Sequence, residues 1–312
     1  MNQTRSEKGA ALIIVLGLVA VIAGWAATAG YEDMLSLRRA ENMVQSMKAE
    51  LACLSALALA KAALKQDARD GGTDNLDEPW AQANPAFPID DGLVSGELVD
   101  ANRYLNLNDL VDKNGKVVLS MVNVAKHLFV AKDLDPGLVD ALVDWMDTND
   151  VPFGPSGMED SAYYSKDYRV KNAALDRIEE LYLIEGFDKN IVDTLKDAVV
   201  VWPLTSDAYG KVNVNTVKAS VLLAMFPNMS DVDKDDLLNN RPYEQVDSLR
   251  AAIWAQGEEA QAMFLRLSVV SDRFKVRTHA IFGRADWQEE YGLSRQGEKL
   301  TLIWRERLLW QP

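Results

Sequence analysis

The sequence predicts an α+β protein hung from a single membrane helix. Three observations predict it. An uncharged run from Ala10 to Tyr31 opens the chain. A run of helix formers then continues to residue 68 with no proline or glycine. Alternating apolar and polar residues return near 96–107 and 274–305, on either side of a block with helical periodicity. A long helix laid on an antiparallel sheet is one of the layer pairs that bury a single apolar face.

The membrane helix comes first. AALIIVLGLVAVIAGWAATA is roughly 20 residues, enough at about 1.5 Å per residue to span the ~30 Å hydrocarbon core. Backbone groups in that layer must be satisfied internally, which demands a helix. Trp25 and Tyr31 sit near its far end; Arg5 and Lys8 precede it, and Glu32 and Asp33 follow it. The positive-inside bias puts the leader in the cytoplasm and the rest across the membrane. The competing reading is a signal peptide cut after Ala27-Thr28-Ala29. Ordinary signal peptides have an apolar region of only about 7–15 residues. The helical pattern also runs on through Met34, Leu37, Met43, Met47, Leu51 and Leu54. The reading is therefore a retained anchor, one helix continuing to about Asp67.

Next comes a Gly/Pro-rich loop from Asp70-Gly71-Gly72 to Pro88. Residues 96–107 read as an extended segment that packs on the long helix. The block 109–258 reads as helical, with segments at 122–130, 136–145, 173–186 ending at Gly186, 189–199 capped by Asp188, and 217–226 closed by Pro227. Asn106-Leu107-Asn108 and Asn213-Val214-Asn215 each lead into a helix. They suggest an internal repeat, although Asn is also a common N-cap. In the last block, Phe274–Phe282 and Leu300–Trp304 read as strands, with the polar stretch 284–298 as the hairpin loop between them.

Composition narrows the function. A net charge of −14 disfavours nucleic acid and anionic membrane surfaces. The one cysteine, Cys53, cannot make an internal disulfide and reads as a buried structural thiol. Catalytic constellations are poor, so the chain reads as no enzyme. His127 and His279 are far apart, and HExxH, GxSxG, P-loop and GxGxxG patterns are absent. Trp202, Trp254 and Trp310 read as core residues, with partner anchors as the other possibility. The Ala/Leu-rich stretch 51–64 allows close helix approach.

The strongest local chemistry is the acidic loop after Trp145. Asp144, Asp147, Asn149, Asp150, Glu159, Asp160 and Asp167 cluster around Pro152, Gly154, Pro155 and Gly157. Calcium takes six to eight oxygen ligands of these types. The loop is no EF-hand, since Pro152 stands where that loop needs Gly. From the residues alone, a solvated acidic loop and a calcium site both stand.

Particular motifs add a resemblance. Lys8-Gly9-Ala10-Ala11-Leu12-Ile13-Ile14-Val15 resembles the processing site of type IV prepilins and type II secretion pseudopilins. By that resemblance a prepilin peptidase cuts between Gly9 and Ala10, and the new N-terminus is methylated. Most members carry Glu at the fifth mature position, here Ile14; the K-type minor pseudopilin lacks it. Asp100–Asn108 is similar to that member's Asp-x-Asn-Arg…Asn-Leu-Asn region. Asp144-Trp145-Met146-Asp147 with Gly157-Met158-Glu159-Asp160 and Tyr163-Tyr164 resembles its second motif, and Asn213-Val214-Asn215-Thr216 its third.

The resemblance implies a pilin-like helix and sheet with a large all-α insertion, and divides the chain at 1–9, 10–31, 32–108, 109–258 and 259–312. It implies structural calcium on Asp147, Asn149, Asp150, Glu159 and Asp160, with Asp144 set apart because it can face inward from a helix. It also implies a protein of the bacterial inner membrane, single-pass, with its C-terminal part in the periplasm. The expected partners are I- and J-type minor pseudopilins in a tip complex and the major pseudopilin filament, with no nucleic acid. The expected role is to cap the pseudopilus tip and help start its assembly, supporting export of folded proteins. The alternatives are a calcium-dependent hydrolase, membrane-anchored or secreted, and a helix-hairpin-helix nucleic-acid module suggested by the helix pairs near 133–145 and 213–226.

Overall fold

The computed structural model describes residues 3–82, 85–204 and 210–308, with side chains from Ala10 on save that of Ile253. One helix, α1 (Gln3–Asp70), carries the whole N-terminal run. The large apolar side chains from Leu12 to Trp25 are all exposed, as is Tyr31. Among the described residues α1 is the one helix long and apolar enough to cross a membrane. It ends where Gly71 takes a φ of +70°, a conformation that favours glycine.

In chain order the strands are β1 (Phe87–Ile89), β2 (Gly92–Asp100), β3 (Leu105–Asn106), β4 (Val199–Val200), β5 (Val212–Asn213), β6 (Leu267–Ser268), β7 (Arg273–Phe282), β8 (Ala285–Gln296) and β9 (Lys299–Leu308). The other helices are α2 (Leu119–Ala131), α3 (Leu138–Met146), α4 (Lys189–Leu195), α5 (Ala219–Met225), α6 (Asp231–Asn239) and α7 (Glu258–Phe264).

Five strands form one antiparallel sheet in the order β1-β2-β7-β8-β9. The buried stripe of α1 lies across it. Ala49, Ala52 and Cys53 meet Ala280 and Phe282, and their small size lets the helix come close there. Further up, Leu57 and Leu64 pack with Trp80, Phe274, Val276, Tyr291 and Leu293. Each fully buried side chain of this kind contributes about 1.5–3 kcal/mol. The helix therefore climbs β7 backwards, from Phe282 at the end nearer the apolar N-terminal run to Phe274 at the distal end. Leu64 lies about 50 Å above Tyr31 along the axis.

Two sequence expectations fail here. Residues 284–298 are not a loop; most of them form β8, the strand between β7 and β9. Its Glu289, Tyr291 and Leu293 are buried. Arg305 of β9 donates to Glu289 at 2.6 Å, and the Tyr291 hydroxyl donates to the same carboxylate. A carboxylate on the inward face looks like loop sequence until its partners are seen. The segment 173–186 is not an α-helix but a 3-10 turn, Ile178–Leu183. Asn108 takes both backbone groups of Leu175, donating to its carbonyl at 2.9 Å and accepting from its N–H at 2.8 Å. Those groups are then lost to a helix.

The chain leaves the sheet at Asp100 and re-enters at Arg273, both at the distal end. Between them lies a domain with one large core running from Leu105 to Leu267. It is mainly helical but not wholly so: β3 pairs with β4, and β5 with β6, as short parallel ladders. The suspected repeat is real geometry. In each half an Asn-x-Asn pair ends a strand that pairs parallel with a later one. In the first half Asn108 clamps Leu175; in the second, Asn215 donates to the Tyr243 carbonyl at 3.0 Å and accepts its N–H at 2.7 Å. The helices that follow, α2 and α5, pack on each other.

Candidate functional site

The junction between sheet and inserted domain is built from the sequence motifs. Asp100 is buried and accepts from the Asn102 N–H at 2.7 Å, the Ser271 hydroxyl at 2.6 Å and the Thr216 hydroxyl at 2.5 Å. Asn213 donates to the Asp74 carbonyl at 2.9 Å and to Ser271 at 2.8 Å. Asn102 accepts from the Arg273 N–H at 2.9 Å. Burial pushes the Asp100 carboxyl up despite the donors around it. Beside it, Arg295 bridges Asp67 at 2.6 Å and Asp74 at 2.5 Å. Burial raises Asp74 to about 7, with the Ser271 amide and Arg295 pulling the other way. Trp202 packs edge-on against Trp304 of β9 and closes the apolar part of the junction. The insertion is thus held in one orientation on the sheet.

The acidic loop leaves the end of α3. Asp140, Asp144 and Asp147 recur at helical spacing there, and all three are buried. Glu159 comes back over them from the far side of the loop and is only 7% exposed. Glycines allow the close return. A Cβ on Gly157 would sit 2.5 Å from Asp144 Oδ2 and 2.6 Å from the Phe153 nitrogen; one on Gly154 would sit 2.5 Å from Asp140 Oδ2.

The electrostatics of this cluster are unfavourable. Glu159 rises to about 7, first from burial and then from repulsion by Asp144, Asp147, Asp150 and Asp160. Burial takes Asp144 to about 6, opposed by the Phe153 and Met158 amides. Burial also raises Asp147, against two hydrogen bonds from Asn149. Oδ2 of Asp144 and Oε1 of Glu159 are buried without a well-formed hydrogen-bond partner. Two carboxylate oxygens left orphaned this way are costly, and a cation removes the cost.

The predicted ligand set is only partly drawn together. Asp144, Asp147, Asp150 and Asp160 all lie close enough to repel Glu159, but among the described residues their ligand oxygens do not gather into a set within 4.8 Å of one another. Asn149 spends its carbonyl oxygen on the Val151 N–H at 2.9 Å, and Asp160 accepts from the Val170 N–H at 3.1 Å. Sequence reading missed Asp140, which binds Lys126 at 2.6 Å on the same wall. The i, i+4, i+7 spacing of 140, 144 and 147 was the available signal. A tighter carboxylate set, Asp67, Asp74 and Glu78, lies within 4.8 Å at the junction. There Arg295 is the counterion, which makes it a structural ion network.

The remaining candidates fall as follows. Cys53 is buried under the sheet. His279 pairs with Asp286 at 2.8 Å on the sheet, remote from His127 on α2. Trp202 and Trp254 are core residues. Trp310 lies outside the described residues.

A membrane-length helix whose outer half packs on an antiparallel sheet, with a domain inserted at the distal end, defines a pilin-like, membrane-anchored assembly subunit. The particular family follows from comparison: the chain belongs to the type II secretion system protein K family, the K-type minor pseudopilins. Two sequence models described as Type II secretion system (T2SS), protein K match residues 103–204 and 212–276. Type II secretion system protein K of Pseudomonas aeruginosa is 34% identical over 71% of this chain and 69% of that one. The Klebsiella pneumoniae protein of the same name is 27% identical over 96% of both. A chain in the crystal structure of the GspK-GspI-GspJ complex from enterotoxigenic Escherichia coli superposes with a TM-score of 0.76 at 24% identity. That match covers 87% of this chain and 99% of that one, and it establishes the shared fold. The family is a structural component of a secretion system, which displaces the hydrolase and nucleic-acid readings. The two family matches divide where the two halves of the inserted domain divide.

Proposed function

We propose that this minor pseudopilin caps the tip of the type II secretion pseudopilus. It helps start pseudopilus assembly with I- and J-type minor pseudopilins, ahead of the major pseudopilin filament, in support of folded-protein export. The observation that carries this is the position of the inserted domain. It leaves and rejoins the sheet at the end farthest from the membrane, so a subunit stacked above would meet it. Ile14 fits the same role, since an apolar residue makes no demand for a charged partner within lipid. Exposed Met43, Met47, Leu51 and Leu54 give α1 an apolar flank for neighbouring helices. The structural neighbour was solved in a GspK-GspI-GspJ complex, which favours I- and J-type partners here.

The helix inserts with residues 1–9 in the cytoplasm and the sheet and inserted domain in the periplasm. Cleavage between Gly9 and Ala10 by the prepilin peptidase, with methylation of Ala10, completes the subunit. Intact and N-terminal peptide mass of protein from native membranes tests this; a start at Gly30 would overturn it. Gold labelling of the exposed Tyr164 position on assembled pseudopili tests the tip role. Label at one end supports capping, and label along the shaft refutes it.

The acidic loop is proposed to hold calcium. Its orphaned carboxylate oxygens and the glycines that let the loop close support this fit. Asp144, Asp147 and Glu159 would hold the ion, with Asp150 beside them; Asn149 and Asp160 join only by giving up their present hydrogen bonds. Calcium when bound supplies positive charge that cancels the repulsion. The chain's own part is to bring Glu159 back over α3 and shield the carboxylates from water.

A further inference from the structure

Three cations gather beside the junction, in a chain whose net charge is −14. Arg103 follows Asp100 and Asn102 in sequence, but among the described residues its side chain makes no hydrogen bond or ion pair. Its guanidinium stands 5.7 Å from the centre of the Tyr104 ring. Main-chain carbonyls bring the other two cations to it. The Lys218 N–H donates to the Arg103 carbonyl at 3.2 Å, and the Arg241 guanidinium donates to the Val217 carbonyl at 3.1 Å. All three side chains are half-buried. The Nε–H groups of Arg103 and Arg241 are both buried without an acceptor.

The acidic groups nearby are already engaged. Asp100 attracts Arg103 but accepts from Asn102, Ser271 and Thr216. Asp197 attracts Lys218 but is bound by Lys132 at 2.7 Å. Burial lowers Arg241 to about 10, opposed by Tyr243 and aided by repulsion from Arg103. Burial also lowers Lys218, and Arg103 and Lys132 add to it. Half-buried like charges with donors left over are costly, and an acceptor of opposite charge removes the cost. We propose that Arg103, Lys218 and Arg241 form a docking site for an acidic segment of a partner polypeptide. Each guanidinium presents a planar fork of donors that matches a carboxylate, and the ammonium adds a third positive charge. Two forks and an ammonium take more than one carboxylate, which neighbouring acidic residues on one chain supply. Arg103 lies just past Asp100, at the end of the sheet farthest from the apolar run of α1, so lipid around that run does not reach it. This inference is independent of tip capping and of calcium.

The test uses the full chain in detergent micelles, labelled with 15N-arginine, with the two Nε–H resonances assigned through Arg103→Lys and Arg241→Lys. The probe is acetyl-Ala-Glu-Glu-Ala-amide. Its titration should move both resonances, and the uncharged peptide with glutamine in place of each glutamate should bind at least about tenfold more weakly. Arg103→Gln with Arg241→Gln should weaken the glutamate peptide by at least as much, with near-ultraviolet dichroism checking that the fold is kept. Lys218→Gln removes a charge whose side chain makes no hydrogen bond among the described residues, and should weaken the peptide while leaving the fold intact. Unmoved resonances would overturn the proposal, as would equal binding of the glutamine peptide or full affinity in Lys218→Gln. Inorganic phosphate binding as tightly as the glutamate peptide would overturn the polypeptide source.

Discussion

Replacing Glu159 by glutamine should stabilise the inserted domain at neutral pH when calcium is chelated. The carboxyl titrates at about 7 in the fold against an ordinary value of 4.5. Its folded-state pKa is raised, so between those values the folded chain holds the proton more tightly than the unfolded chain. Stability therefore falls as pH rises through that window. At 1.36 kcal/mol per unit, the penalty above pH 7 is about 3 kcal/mol. Asp144 is raised too, but its repulsion with Glu159 is shared and cannot be counted twice. The assay is urea unfolding of the full chain in micelles, followed by near-ultraviolet dichroism, from pH 4.5 to 7.5 in chelator. Wild type should lose stability across that range. Glu159→Gln should lose about 3 kcal/mol less, matching wild type at pH 4.5 and exceeding it at pH 7.5. Burial raises Asp74 too, but that residue is common to both proteins and cancels in the difference. Calcium at about a hundred times its Kd should then add about 2.7 kcal/mol to wild type and much less to the variant. If Glu159→Gln instead costs stability at pH 7.5 in chelator, the carboxylate has a favourable partner and the repulsive cluster is wrong.

Gly157→Ala should open the acidic loop, because its Cβ meets Asp144 and the Phe153 backbone at once; amide exchange should speed up at 150–160 and calcium affinity should fall at least about tenfold. Asn108→Ala and Asn215→Ala should each destabilise the domain by about 2 kcal/mol or more, since each strips a backbone N–H and carbonyl of their partner. Comparable losses in the two halves, read by urea midpoint, would support the repeat, and a silent variant in either half would count against it. Leu64→Ala should cost about 2–5 kcal/mol and loosen α1 from the distal end of the sheet, seen as faster exchange at 60–70.

Much of the architecture was legible because its signals are local. The uncharged run to Tyr31, the glycine stop at 71 and the alternation of β7 and β9 each follow from a few adjacent residues. The acidic loop was legible as chemistry, but its geometry was not. Nothing in the order of residues shows that Asn149 spends its oxygen on Val151, or that Asp140 joins the wall. β8 failed for the same reason, since Glu289 and Arg305 neutralise each other across strands.

By itself the sequence determined the long apolar N-terminal helix, the helix-on-sheet layer pair and the presence of an acidic, glycine-bearing loop. These depend on hydrophobic periodicity and backbone preference, which act over one or two turns. Only the tertiary structure decided that the domain rises from the distal end of the sheet. Only it decided that Asp100, Asn102, Asn213 and Thr216 form one buried junction, and that Glu159 faces Asp144. Those facts rest on contacts between residues far apart in the chain. Burial, desolvation and repulsion take their values only once such residues meet.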